Sequence, residues 1–175
     1  MPPTTPKPAD TTVQEPKIVF GPSADSSTVK PAALQVIKDI MRKAGEASCT
    51  ITSTARTPAM QARAMYNNIV GTSVKSQKDL YGHWGDLVID QYVASKKAGK
   101  APDQIKADMT AKIIEIGPAN VSRHCADFNV LCVVDIAPSS IQNKTKFVAA
   151  FKADKRVSKY FLPPSDPAYH LEIPV

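Results

Sequence analysis

The sequence predicts an α+β fold in which helices pack on one small, largely antiparallel sheet. Three observations carry that expectation. Apolar residues recur at three- and four-residue spacing over several segments, some of them opened by proline and closed by glycine, which marks helices. Short β-rich runs stand at 49–53, 130–136 and 169–173, the length of strands rather than helices. The chain has 175 residues, 43% hydrophobic and 22% charged, enough for one domain with a real core and few for two.

Residues 1–28 are rich in Pro, Thr, Ser and Asp and are expected to be a flexible tail, with one apolar patch, Ile18-Val19-Phe20, suited to docking on the domain. The domain is expected over 29–175. Lys30-Pro31-Ala32 opens a helix whose Leu34, Ile37, Ile40 and Met41 share a face and which Gly45 ends. Cys49 to Ser53 alternates as a strand, so Arg56 sits where a strand gives way to the next helix, 58–69. In that helix Met60, Ala64 and Ile69 are expected to face inward, the methionines as core filler.

From Ser76 to Ala98 one stripe carries Leu80, Trp84, Leu87, Val88, Tyr92 and Val93, with glycines at 82 and 85 as the places for a break. His83 has no carboxylate or histidine at ligand spacing and is taken as a packing or surface residue. Pro102 to Ile116 is a further helix, with Asp103 near its positive end, stopped by Gly117-Pro118. Lys144 to Tyr160 reads as a helix and a short continuation, broken by Pro163-Pro164. Tyr169 to Ile173 is the last strand, and its alternation puts His170 and Glu172 on one face.

The chemistry concentrates in Val121–Pro138, VSRHCADFNVLCVVDIAP. Val130 to Val134 is a buried strand ending at Asp135 and Ile136. A carboxylate at such a place is costly unless paired or bound to a metal, and His124 lies upstream across a loop. With His170 these make two histidines and one carboxylate, the ligand count of a catalytic zinc site that keeps one position open. Cys49, Cys125 and Cys132 are an odd set. Cys125 and Cys132 would pin the loop if bridged in an oxidising compartment, or would stay as free thiols. Cys125 as a nucleophile beside His124 lacks an orienting third residue.

Ser122-Arg123-His124, Val134-Asp135-Ile136 and Tyr169-His170-Leu171-Glu172-Ile173, with Ile51 to Thr57 (ITSTART) upstream, resemble the motifs of the zinc D-alanyl-D-alanine carboxypeptidases and phage cell-wall peptidases. The resemblance spans about Val29 to Val175. It implies a hedgehog/DD-peptidase-like fold, zinc on His124, Asp135 and His170, and a peptidoglycan stem peptide as substrate, cut by carboxypeptidase or endopeptidase action. It implies Arg56 and Ser122 as substrate-binding residues, Arg56 also steadying charge at the tetrahedral stage. The base is expected to be Asp166, one residue from the family's carboxylate, or Glu172, whose other reading is to orient a ligand histidine. A non-catalytic zinc-containing wall-binding domain is the alternative.

The net charge of +6 and pI near 9.2 suit anionic surroundings. The basic residues are dispersed without interleaved aromatics, which argues against nucleic acid as a partner. No apolar run is long enough for a membrane span, and the N-terminus lacks the layout of a secretory signal. Action in the bacterial periplasm or cell wall would therefore follow phage lysis, as for an endolysin, or injection as an antibacterial effector. An immunity or delivery protein is then a candidate partner.

Overall fold

The computed structural model describes residues 15–175; residues 1–14 of the expected tail lie outside the described residues. Among the described residues five strands form one sheet: β1 (Lys17–Phe20), β2 (Ser48–Ser53), β3 (Leu131–Ile136), β4 (Lys159–Phe161) and β5 (Tyr169–Pro174). Seven α-helices pack with it: α1 (Pro31–Ala44), α2 (Pro58–Gly71), α3 (Val74–Leu80), α4 (His83–Lys97), α5 (Pro102–Ile116), α6 (Pro118–Val121) and α7 (Lys144–Ala153). The sheet order is β1-β2-β3-β5-β4. β1 runs parallel to β2 and the other three pairings are antiparallel. The fold is thus α+β with a mixed sheet. The Ile18-Val19-Phe20 patch forms one of its two edge strands, β4 being the other.

Alternation along the strands sorts the side chains onto two faces. Cys132, Val134 and Ile136 of β3 and Tyr169, Leu171 and Ile173 of β5 point to one face, where α1 and α7 cover them with Ile37, Ile40, Met41, Phe147 and Phe151. Pro31 begins α1, and Gly45 closes it at φ 73°, a conformation glycine adopts without steric cost. Glu46, buried just beyond, accepts the backbone N–H groups of Gln142 (3.1 Å) and Asn143 (2.5 Å) and so ties α7's approach to the end of α1. A second apolar cluster joins α2, α4 and α5 through Ala62, Met65, Ile69, Val88, Ile89, Tyr92, Ile105, Met109 and Ile113. It contains no strand residue.

Three sequence expectations change here. In α2 the inward residues are Gln61, Ala62, Met65 and Ile69, while Met60 and Ala64 are only half-buried, because α2 turns its Ala62 side to α5 rather than to the sheet. The 76–98 stripe breaks at Tyr81-Gly82 as expected, but its Leu80, Trp84 and Val93 are 53%, 44% and 41% exposed rather than inward. Gly85 does not break α4. It lies under the Tyr81 ring, where a Cβ would come within 2.5 Å of Tyr81 side-chain atoms. His83 is exposed and packs edge-on against Trp84, with ring centroids 5.0 Å apart.

Candidate metal centre

The polar face of β3 and β5 carries the site. Asp135 and His170 are cross-strand partners, and Val133 faces Glu172 two pairs further along, on the same face. His124 arrives from a short 3-10 turn, Arg123–Cys125. The segment leaving β2 holds that turn twice: Arg56 N–H donates to the His124 carbonyl (2.7 Å), and His124 Nδ1–H donates to the Thr54 carbonyl (2.7 Å). The second bond leaves His124 Nε2 as the free ligand atom. It stands 3.0 Å from Asp135 Oδ2, and His170 Nδ1 stands 3.0 Å from Asp135 Oδ1.

His124, Asp135 and His170 each offer one ligand atom within 4.8 Å of the others, in a setting that buries both imidazoles and most of the carboxylate. In a tetrahedral site with bonds of about 2.0–2.1 Å, ligand atoms stand about 3.3 Å apart. The donor set therefore fits a metal ion with little rearrangement. Burial pushes the Asp135 carboxyl up, but hydrogen bonds from His124 and His170 outweigh it and hold the group well below the usual carboxylate range. Burial disfavours the His170 imidazolium, and Asp135 overcomes that to raise its pKa. The first shift supplies the deprotonated acid that a cation requires, and the second means that a cation must displace a proton from His170.

His170 Nε2 and Glu172 Oε1 are buried without a hydrogen-bond partner, and they lie 3.6 Å apart. A small closing motion would pair them, Nε2–H donating, which would fix the ring with Nδ1 toward Asp135. Glu172 Oε2 lies 3.4 Å from Arg123 Nε. The Phe161 ring packs on His170 at 5.4 Å between centroids.

Comparison with protein-family models, curated proteins and solved structures gives no match.

The cluster opens into a cleft of about 500 Å³ between the polar face of the sheet and α2, α3 and α6; its walls include Tyr81, Ser122, Arg123, Phe161 and Asp166 as well as the three ligand candidates. Asp166 is half-buried on the β4–β5 connection, with Oδ1 accepting the Ala168 N–H (2.8 Å). Burial raises its pKa against that hydrogen bond, and the Asp135 charge adds to the rise. Arg56 lines the same cleft, but its guanidinium is committed to the protein. Nε and Nη2 donate to Ser53 Oγ (3.0 and 2.6 Å) and Nη1 donates to Gln61 Oε1 (3.0 Å), with Nη2 3.7 Å from Asp135 Oδ2. Gln61, fully buried, passes the network on by donating to the Tyr81 hydroxyl (3.1 Å).

Ser53, Thr54, Gln61 and Tyr81 belong to this site without having been found in the sequence. Ser53 shares strand parity with the core residue Ile51, so alternation alone hides it. A register shift between Ile51 and Ser53 sets Ser53 opposite Asp135 and turns its hydroxyl to the polar face. Cys125 and Cys132 are free thiols. β3 alternation sends Cys132 into the core under α1, where its sulfur accepts the Lys30 N–H (3.3 Å). Cys125 stays beside the site, and burial pushes its thiol up to about 11, which makes it a poor nucleophile.

Proposed function

We propose that this protein is a zinc-dependent peptidase that hydrolyses peptidoglycan stem peptides. The observation that carries the reading is the buried His124–Asp135–His170 group opening into a cleft that also holds an unligated acid, Asp166. Two imidazoles and a carboxylate leave one position of a tetrahedral ion open to substrate. Held by His124, Asp135 and His170, a zinc ion would supply Lewis-acid polarisation of a carbonyl and acidify water. Asp166 takes the proton of the attacking water and delivers it to the leaving amine, a role served by its raised pKa. Glu172 orients His170 rather than acting as base, since it stands at the Nε2 side of that ring and not at the ligand side. Arg56 steadies Asp135 and the floor of the cleft through Ser53 and Gln61, and Ser122 lies in the wall where a peptide would pass.

The cell-wall substrate rests on the motif resemblance, as do delivery by phage lysis or as an injected effector and an immunity or delivery partner. No helix among the described residues is long and apolar enough to cross a membrane. Purified peptidoglycan fragments incubated with zinc-loaded protein should release shortened stem peptides, and Asp166→Ala should keep its metal while losing about 10²–10⁴-fold in rate. An Asp166→Ala protein that cleaves at the parent rate removes Asp166 as base. A metal-loaded parent that binds fragments and cleaves none makes the domain a wall-binding module.

A further inference from the structure

The cleft does not end at Arg56. Beyond that side chain a second groove of about 620 Å³ runs between the Pro22–Asp25 segment and the outer face of α2, and Arg56 and Asn68 stand in the walls of both. Three of the groove's polar side chains, Arg63, Asn67 and Asn68, are uncommitted among the described residues. Arg42, Arg56, Arg123 and Arg156 each lie against a carboxylate, whereas Arg63, in the groove wall, meets none among the described residues. The exposed side chains of Asn67 and Asn68 likewise have no protein partner among the described residues. The one acid in the wall, Asp25, has one oxygen engaged, Oδ1 accepting from the Ser27 N–H (2.9 Å) and hydroxyl (2.7 Å). Met60 and Ala64, half-buried where a core position was expected, give the groove an apolar floor.

An unpaired guanidinium, two free amides and an apolar floor suit an extended peptide carrying a carboxylate, with Arg63 forming a charge-assisted pair and the asparagines reading backbone amides. Arg56 points the same way. A pocket for a chain-terminating carboxylate needs a free fork at its end, and the fork of Arg56 is already engaged by Ser53 and Gln61. The side chain is then a ridge over which the substrate continues. We infer that the Arg63–Asn67–Asn68 groove binds an acidic peptide segment running on from the metal cleft, so that the bond hydrolysed is internal to the peptide. This rests on the peptidase reading for the cleavage but not for the binding.

The test separates the two. The protein as purified is titrated with a synthetic stem pentapeptide bearing a free glutamate carboxylate and with the same peptide amidated at that position, and mass spectrometry of each mixture records any cleavage. A hydrogen bond to a charged group contributes about 1.5–3 kcal/mol, so the acid should bind at least about tenfold tighter than the amide, and Arg63→Ala should abolish that preference. Arg63→Lys should restore part of it. Equal binding of the two peptides, no binding of either, or a preference that survives Arg63→Ala overturns the groove. Arg63-dependent binding without cleavage leaves the groove standing and removes the hydrolase. Cleavage confined to the terminal residue contradicts the internal bond.

Discussion

The two faces of β3 and β5 are made from alternate residues of the same two strands and do opposite work. On one, Cys132, Val134, Ile136, Leu171 and Ile173 are all but removed from water under α1 and α7. On the other, at alternate positions of the same strands, His170 and Glu172 are nearly as buried and Asp135 is mostly so, yet they are polar and partly unpaired. Burial is similar and satisfaction is not. The apolar face gains stability from every group it removes from water. The polar face keeps a carboxylate, two imidazoles and an orphaned Nε2–Oε1 pair in place, an arrangement that favours a cation over a closed protein core.

The largest effect should come from the apolar face. Phe151→Ala removes a fully buried ring that packs on Phe147 and Tyr169, and should cost about 3–5 kcal/mol in denaturant unfolding. Metal affinity in the folded fraction should stay as it was; a matching fall would show that the faces are not separable. Gly85→Ala comes next, because its Cβ would drive the Tyr81 ring out of place. Overpacking of that kind costs about 1–3 kcal/mol. Since Tyr81 lines the cleft, substrate binding should weaken as well, and unchanged stability would contradict the packing described.

On the polar face Glu172→Ala should lower zinc affinity about 10–100-fold, the usual cost of losing a carboxylate that orients a ligand histidine. Competition with a chelating dye would read it. The stability change should be small, since His170 Nε2 and Glu172 Oε1 are not yet paired.

The smallest effect sharpens the comparison by pH. Asp135 is held below its ordinary pKa, so its contribution is present above about 3.9 and is lost as pH falls through the folded value. His170 is raised, so its contribution is full below about 6.5 and is lost as pH rises through the folded value. Metal-free protein should therefore be most stable between about pH 4 and 6.5. Zinc needs neutral His170, so its affinity should climb across the pH range where metal-free stability declines. Parallel melting curves with and without zinc would show the two trends cross, and trends of the same sign would exclude His170 as ligand.

Most of this was legible in the sequence because it follows from period. Alternation put His170 and Glu172 on one face, and Pro31 with Gly45, and Pro102 with Gly117, bracketed α1 and α5. Two of the ligand candidates, Asp135 and His170, lie near the ends of strands, where a polar residue in an apolar run stands out, and His124 lies in the turn upstream. What sequence could not give depends on departures from period or on backbone atoms. The β2 bulge moves Ser53 across the sheet, Thr54 acts through its carbonyl, and Gln61 looks like any polar helix residue until it proves to be fully buried. The outward turn of Met60 and Ala64 was hidden for a related reason, since α2 has apolar residues on more than one side and only α5 decides which is covered.

The claim on which all else depends is that the polar face is a metal site. Elemental analysis of protein purified without chelators, followed by zinc titration of the parent, His124→Ala and His170→Ala proteins, addresses it most directly. One zinc per chain in the parent, and none retained by either variant, is the predicted result. A parent that carries no transition metal and binds no added zinc would contradict it, and the Asp135 pairs with His124 and His170 would then be a buried ion-pair network and nothing more.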